Sequence, residues 1–300
     1  MIRNRLIVAL LAIVYLWLLY LRISQVFWED PWKDSVVECS IDMELFSSRY
    51  GYIYKSQKQP ESAKRYFIAM NLKDNEEMMR NLIHKIIQLC EFLGTANVHV
   101  SIYENGSSDN TPKLLRLFID MLNDISVKNT IIHDESVTFF TRENRIPLLS
   151  EIRNKAIAPM FNVSLGKFDK MIFINDVYFC LDDPVELLHQ HIDQNADMTC
   201  AFDYGGKWGH SFDLFYDTWV YRELDGSVAF EGVNAKQSKW RYANGLPIQV
   251  FSCWNGMVVL NTEAFYNGLR FHAAKEGECP ASECKILSQD LWELGYGIFF

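Results

Sequence analysis

The sequence has no excess of positive charge. Its 300 residues carry 29 Lys and Arg against 38 Asp and Glu, a formal net charge of −9 at pH 7. An acidic chain without a basic stripe is a poor partner for nucleic-acid phosphates, which demand clustered cations. Glycine and proline are scarce too, at 15 and 8, which excludes collagen-like and low-complexity architectures. The seven cysteines follow no zinc-ligand spacing. No internal repeat is evident. What is abundant is apolar: 49% of residues are hydrophobic and 14% aromatic, more than a disordered chain carries. The length fits one large domain, or two at most, with ample residues for a core.

The N-terminus has its own character. After Arg3 and Arg5 comes an uncharged run, Leu6–Leu21, closed by Arg22. As a helix at about 1.5 Å per residue it reaches roughly 24 Å, enough for a thin bilayer. The residues after it offer no small-residue cleavage site, so an uncleaved anchor is expected over a signal peptide. The arginines before the run favour an N-in, C-out orientation. The expectation is a type II arrangement in the Golgi: tail 1–5, anchor 6–22, stem 23–62 and a lumenal domain 63–300. There the cysteines could form up to three disulfides with one thiol left over, or serve as small buried hydrophobes. Sequons stand at Asn105 and Asn162.

From Arg65 the pattern is regular. RYFIAMNL reads as a buried strand and residues 75–94 as an amphipathic helix ending at Gly94. A strand at 97–103 precedes the polar loop ENGSSDNT, and Thr111-Pro112 opens the next helix. A strand near 129–133, a helix over 147–160 and the buried strand KMIFIN follow. Asp182 and Asp183 cap a helix through Ile192, before a strand in ADMTCAFDY. Alternating β and α units predict an α/β fold, a mostly parallel sheet with helices on both faces.

Ligands in such sheets bind beyond the carboxyl ends of the strands. That rule selects three loops: 104–110, 176–183 and 203–217. In the first, short hydroxyl residues and glycine permit close approach and a helix N-terminus favours anions, although a turn with an N-cap has the same composition. In the second, Asp176 ends a strand, where a carboxylate can hold a hard divalent cation on a diphosphate. Arg153 could hold a phosphate with two hydrogen bonds, or form an ordinary charged helix face. His189 and His191, two apart on a helix, share no face and are expected on the surface, as is His84.

The runs SIYENGSSD (101–109), EIRN (151–154), FINDVYFC (173–180), DMTCAFDY (197–204), FYDTWV (215–220), VFSCWNG (250–256) and SECKILSQDLW (282–292) together resemble a known family. It is the cryptococcal α-1,3-mannosyltransferase family, the capsule-associated glycosyltransferases of family 69. The likeness runs from about Tyr66 to Phe300 in one order. It implies a GT-A-like fold and a membrane enzyme of the fungal Golgi. Such an enzyme moves mannose from GDP-mannose to a mannoside in α-1,3 linkage, with retention and with Mn²⁺ or a similar cation, in capsule or cell-wall glycan synthesis.

Carried over by position, the resemblance implies that Glu104, Ser107 and Asp109 meet the nucleotide and Arg153 the diphosphate. Asn175 and Asp176 would meet the metal. Trp219, Trp254, Asn255 and Gly256, with Asp217, would shape the sugar and acceptor pocket, and Asp217, Glu283 and Asp290 supply acids at the reacting centre. Two features depart from the family. Only one carboxylate, Asp176, stands where related enzymes carry Asp-x-Asp, and family domains continue past Gly297 into a further strand. The alternatives implied are an altered metal site, a shortened sequence, or an inactive relative that binds glycans or scaffolds polysaccharide export. Another donor, such as UDP-xylose, is the remaining reading.

Overall fold

The computed structural model describes residues 39–59, 61–136, 141, 143–204 and 218–300. The run Leu6–Leu21 and Asp217 lie outside them. Among the described residues no helix is long and apolar enough to cross a membrane.

The chain opens with α1 (Met43–Gln57), whose first turn is capped by the Asp42 carboxylate accepting from the Glu44 and Leu45 amides at 3.0 Å. Then β1 (Tyr66–Leu72), α2 (Met79–Leu93), β2 (Val98–Glu104), α3 (Thr111–Asp124) and β3 (Lys128–His133) alternate, followed by α4 (Arg145–Ile157) and β4 (Lys170–Ile174). The helix α5 (Asp182–Asp193) leads to β5 (Met198–Cys200). A two-stranded ribbon of β6 (Arg222–Glu223) and β7 (Val250–Ser252) encloses α6 (Ala235–Ala243). Strand β8 (Met257–Asn261), α7 (Glu263–Tyr266) and α8 (Glu283–Glu293) complete the order.

The sheet runs β3-β2-β1-β4-β8-β5. Its first four strands are parallel, and β8 is antiparallel to both neighbours. The order is built outward from β1 to β3, then restarts on the other side with β4. The switch point therefore falls between the carboxyl ends of β1 and β4, where such sheets open a crevice. The residues Ile298–Phe300 lie along β5 as well: Phe300 N donates to Met198 O at 3.1 Å, and Cys200 N donates to Phe300 O at 2.7 Å.

Side chains alternate between two cores, as the strand period of two requires. Ile68, Met70 and Leu72 of β1, with Ile172 and Ile174 of β4, face α1, α2, α3 and α5. Phe67, Ala69, Met171 and Phe173 face α4 and α8. Each large apolar side chain fully buried this way stabilises the fold by about 1.5–3 kcal/mol. The helices on both faces follow from strands apolar on both sides.

One expectation is corrected. The stem assigned to 23–62 gives way within its described part to a helix of the domain: Phe46, Tyr50 and Ile53 of α1 are buried in the first core. The Arg49 guanidinium clamps Glu186 of α5 at 2.6 and 2.7 Å, and Cys39 is disulfide-bonded to Cys180. A weak apolar period concealed this helix, since a covalent bond and a charged clamp hold it where a broad stripe would otherwise be needed. A second disulfide joins Cys200 to Cys253, while Cys90, Cys279 and Cys284 take part in no disulfide.

Candidate active site

At the end of β4 the chain turns through Asn175 and Asp176. The Asn175 amide donates to Gly256 O at 2.8 Å, so the loop entering β8 is stitched to the loop leaving β4. A crevice of about 980 Å³ opens there, lined by Arg145, Arg153, Asn175, Asp176, Asp203, Trp219, Trp254, Asn255, Gly256 and Glu283, among others. A side crevice of about 430 Å³ extends toward β1 and β2 past Asn71, Lys73 and Asn105. A second, of about 590 Å³, extends toward β5, β7 and α6.

Arg153 is the centre of the polar network. It projects from α4 with its side chain 10% exposed and donates from Nε to Glu283 Oε1 at 2.9 Å. A second nitrogen reaches Asn175 Oδ1 at 3.2 Å, an oxygen that also accepts from Trp254 Nε1 at 3.3 Å. The guanidinium lies 5.0, 4.7 and 5.8 Å from the ring centroids of Phe173, Trp254 and Phe271, an aromatic enclosure that favours a cation. Burial opposes the charge, but Cys284, Glu283 and Asp176 outweigh it and hold the pKa above its usual value. Glu283 is placed by Ser282, whose hydroxyl accepts from Lys285 N at 3.1 Å and caps α8.

Asp176 lines both the main crevice and the β1 side crevice, with Asn75 Nδ2 3.5 Å from its Oδ2. Opposite it, Asn255 and Gly256 adopt left-handed φ values of 50° and 82°. A Cβ on Gly256 would sit 2.8 Å from Val177 Cγ1 and 3.5 Å from Asp203 Cβ, so three loops converge on this glycine. The Asn255 Oδ1 atom is buried without a partner. Asp176 and Asp203 present carboxylate oxygens to this crevice, the donor chemistry of a hard divalent cation. The described cluster Cys180, Asp182 and Asp183 has acids close enough for an ion, but Cys180 is spent in a disulfide and offers no thiolate.

The structure distributes the other expected residues differently. Glu104 is fully buried, its Oε1 accepting from the amide and hydroxyl of Ser107 at 2.6 and 2.5 Å and its Oε2 paired with His133. The pairing raises the pKa of His133. Ser107 also accepts from Asp74 N at 2.8 Å. Asp109 accepts from Glu76 N and Thr111 N at 2.9 and 2.8 Å; although burial opposes its charge, these hydrogen bonds lower its pKa. These three residues brace the β1 and β2 loops against each other, and Asn105 lines the crevice in their stead. Asp290 sits two turns along α8 from Glu283, bonded to His272 Nε2 at 2.8 Å, and lines none of the three crevices. Trp254 is buried beneath the site, whereas Trp219 is half exposed at its rim. His191 is a correction: it is 1% exposed and bonded to Thr199 and Asn261 at 3.2 and 3.1 Å. Burial lowers its pKa to about 3, so it is a neutral core residue.

Sequence reasoning missed Asn71, Arg145 and Gln190. Asn71 carried a signal, a lone polar side chain in an otherwise apolar strand; Gln190, within the helix read through Ile192, and Arg145, just before the one read over 147–160, carried none.

A mostly parallel sheet with acids and a buried arginine around the crevice at its switch point defines a doubly wound α/β protein with its ligand crevice at the strand ends. The chain belongs to the family described as Cryptococcal mannosyltransferase 1, whose model matches residues 65–290. It is similar to Alpha-1,3-mannosyltransferase CMT1 of Cryptococcus neoformans var. neoformans serotype D, 31% identical over 259 residues, covering 78% of this chain and 55% of that protein. The chain thus spans about half the length of the curated relative it matches. Among solved structures, it is similar to the mannosyltransferase PcManGT from Pyrobaculum calidifontis in complex with GDP-Man and Mn²⁺: TM-score 0.48, 10% identity, 86% of this chain and 64% of that one. It is also similar to S. aureus TarS 1-349: TM-score 0.47, 11% identity, 78% and 57% covered.

Proposed function

We propose that the chain is a glycosyltransferase that moves mannose from GDP-mannose to a mannoside acceptor, forming an α-1,3 bond with retention and with a divalent cation. One observation carries the reading: in a chain of this family, Asp176, Arg153 and Glu283 meet at the switch-point crevice. The relative CMT1 bears the name of an α-1,3-mannosyltransferase, which supports both the sugar and the linkage.

Asp176 and Asp203 would hold the cation. When bound, it would neutralise the diphosphate leaving group. Arg153, kept charged and aimed by Glu283 and Asn175, offers a fixed cation to the same group. The aromatic floor of Phe173, Trp254 and Phe271 excludes water behind it, which strengthens each of these interactions. Glu283, paired with Arg153 at 2.9 Å, is the acid within this network.

Two disulfides support an oxidising compartment, in keeping with a type II protein of the Golgi anchored through Leu6–Leu21. A second reading, a glycan-binding relative without transfer, is favoured by Asn175, which leaves Asp176 the sole carboxylate in the turn after β4. The full chain incubated with GDP-mannose, Mn²⁺ and a mannoside panel should release GDP and extend the acceptor. Asp176→Ala should abolish both, and full turnover by that variant would refute its role. Saturable GDP binding without transfer to any acceptor would favour the second reading.

A further inference from the structure

The crevice beside β5 and β7 has no role in holding the donor as described above, yet it is built for a ligand. It joins the main crevice through Ala201, Phe202, Tyr204 and Asn255, which line both. Two residues of its lining, Gln190 and Asn255, each carry a side-chain carbonyl oxygen that is buried without a hydrogen-bond partner. A buried acceptor left unpaired costs more than a satisfied one, and most folds avoid it. Asn255 also holds a left-handed φ of 50°, a conformation retained where the surroundings impose it and concentrated at ligand sites.

The rest of the lining states which ligand. Phe202, Tyr221 and Tyr242 face the crevice, and the hydroxyls of Tyr204 and Tyr242 meet at 2.8 Å. Tyr242 is set edge-on against Phe202 and Phe230 at 5.5 and 5.4 Å, which fixes its plane. Among the described residues no Lys, Arg or His lines it, and the acidic side chain there, Glu186, is occupied by Arg49, Tyr50 and Gln190 at 2.6 to 2.7 Å. An anionic ligand finds no counter-charge among these residues. A neutral molecule with several O–H donors and a flat apolar face fits both the orphan acceptors and the aromatic walls.

We propose that this crevice binds a neutral hexose unit of the acceptor glycan, with Gln190 and Asn255 accepting from its hydroxyls and Tyr242 beneath its ring. The proposal rests on the transferase reading for the word acceptor, but not for the binding itself. The test is calorimetric titration of the full chain with α-1,3-mannobiose, and separately with GDP, for the wild type, Tyr242→Ala and Gln190→Leu. Tyr242 is exposed on α6, so its truncation leaves the core intact. Each variant should bind mannobiose about five- to tenfold more weakly, the loss expected of one ligand contact, with GDP affinity unchanged. Absence of mannobiose binding to the wild type, unchanged binding in both variants, or a parallel loss of GDP affinity would overturn the proposal. Mannobiose binding that both variants weaken, in a protein that ignores GDP, would sink the transferase reading and leave this site standing.

Discussion

Replacing Glu283 by Gln keeps the shape of the side chain and removes only its charge. Arg153 would then remain a cation with its side chain 10% exposed, enclosed by three aromatic rings, facing an amide in place of a carboxylate that is itself 4% exposed. Taking one partner from a buried pair costs about 3–5 kcal/mol. A domain's entire stability is about 5–15 kcal/mol, so the variant should lose roughly a third of it. With a urea slope near 2.5 kcal/mol per M, the unfolding midpoint should fall on the order of 1.5 M. Removing both charges is the sharper experiment. Arg153→Met combined with Glu283→Leu leaves no orphan charge and keeps most of the volume, so stability should return close to wild type. GDP release from GDP-mannose should be lost in the single and the double variant alike. A midpoint for Glu283→Gln within about 0.2 M of wild type, or a double variant no more stable than the single one, would refute the view that the pair is held for charge placement and not for packing.

Three further predictions concern the frame around the site. Cys39→Ser should lower stability by about 2–5 kcal/mol, because its disulfide spans 141 residues; dithiothreitol should then lower the melting temperature more in wild type than in the variant, which keeps the Cys200–Cys253 bond. His133 has a raised pKa through its bond to Glu104, so its contribution is complete below the ordinary value of 6.5 and fades as pH rises through the folded value. Melting temperature should therefore fall with rising pH above about 6.5, and His133→Gln should flatten that slope; an unchanged slope would assign it elsewhere. Gly256→Ala forces a Cβ to 2.8 Å from Val177 Cγ1 at a φ of 82°. It should cost about 1–3 kcal/mol and weaken GDP binding, both read from thermal melts with and without nucleotide.

Much of the sheet was legible because its strands are apolar on both faces. KMIFI and YFIAMNL admit hardly any reading but buried parallel strands, and the position of Asp176 at a carboxyl end follows from the first. The loop residues were less legible. Glu104, Ser107 and Asp109 carry the chemistry of a nucleotide site, but the same groups satisfy backbone amides, and here they are engaged with Asp74, Glu76, Thr111 and His133. Composition cannot distinguish an acid that meets a ligand from one that braces a loop. The placement of His191 and Asp290 was illegible for a related reason. A partner distant in sequence, Asn261 for one and His272 for the other, decides what a helical polar residue does. The crevice toward β7 was invisible because its walls come from α5, β5, α6, β7 and the chain's last residue, and no local pattern announces such a meeting.

The antiparallel strand β8 has a consequence for how this protein can change. Since β8 begins rather than ends at the crevice, the Asn255–Gly256 turn arrives there from the ribbon of β6 and β7. Arg153, Asn175 and Asp176 come before about residue 180 in the chain, whereas Tyr221, Tyr242 and Val250 of the side crevice come well after Asp203. The two crevices are thus largely written in separate stretches of the gene. A recombination or an insertion between β6 and β7 would remodel the side crevice and leave Arg153, Asp176 and Asp203 in place.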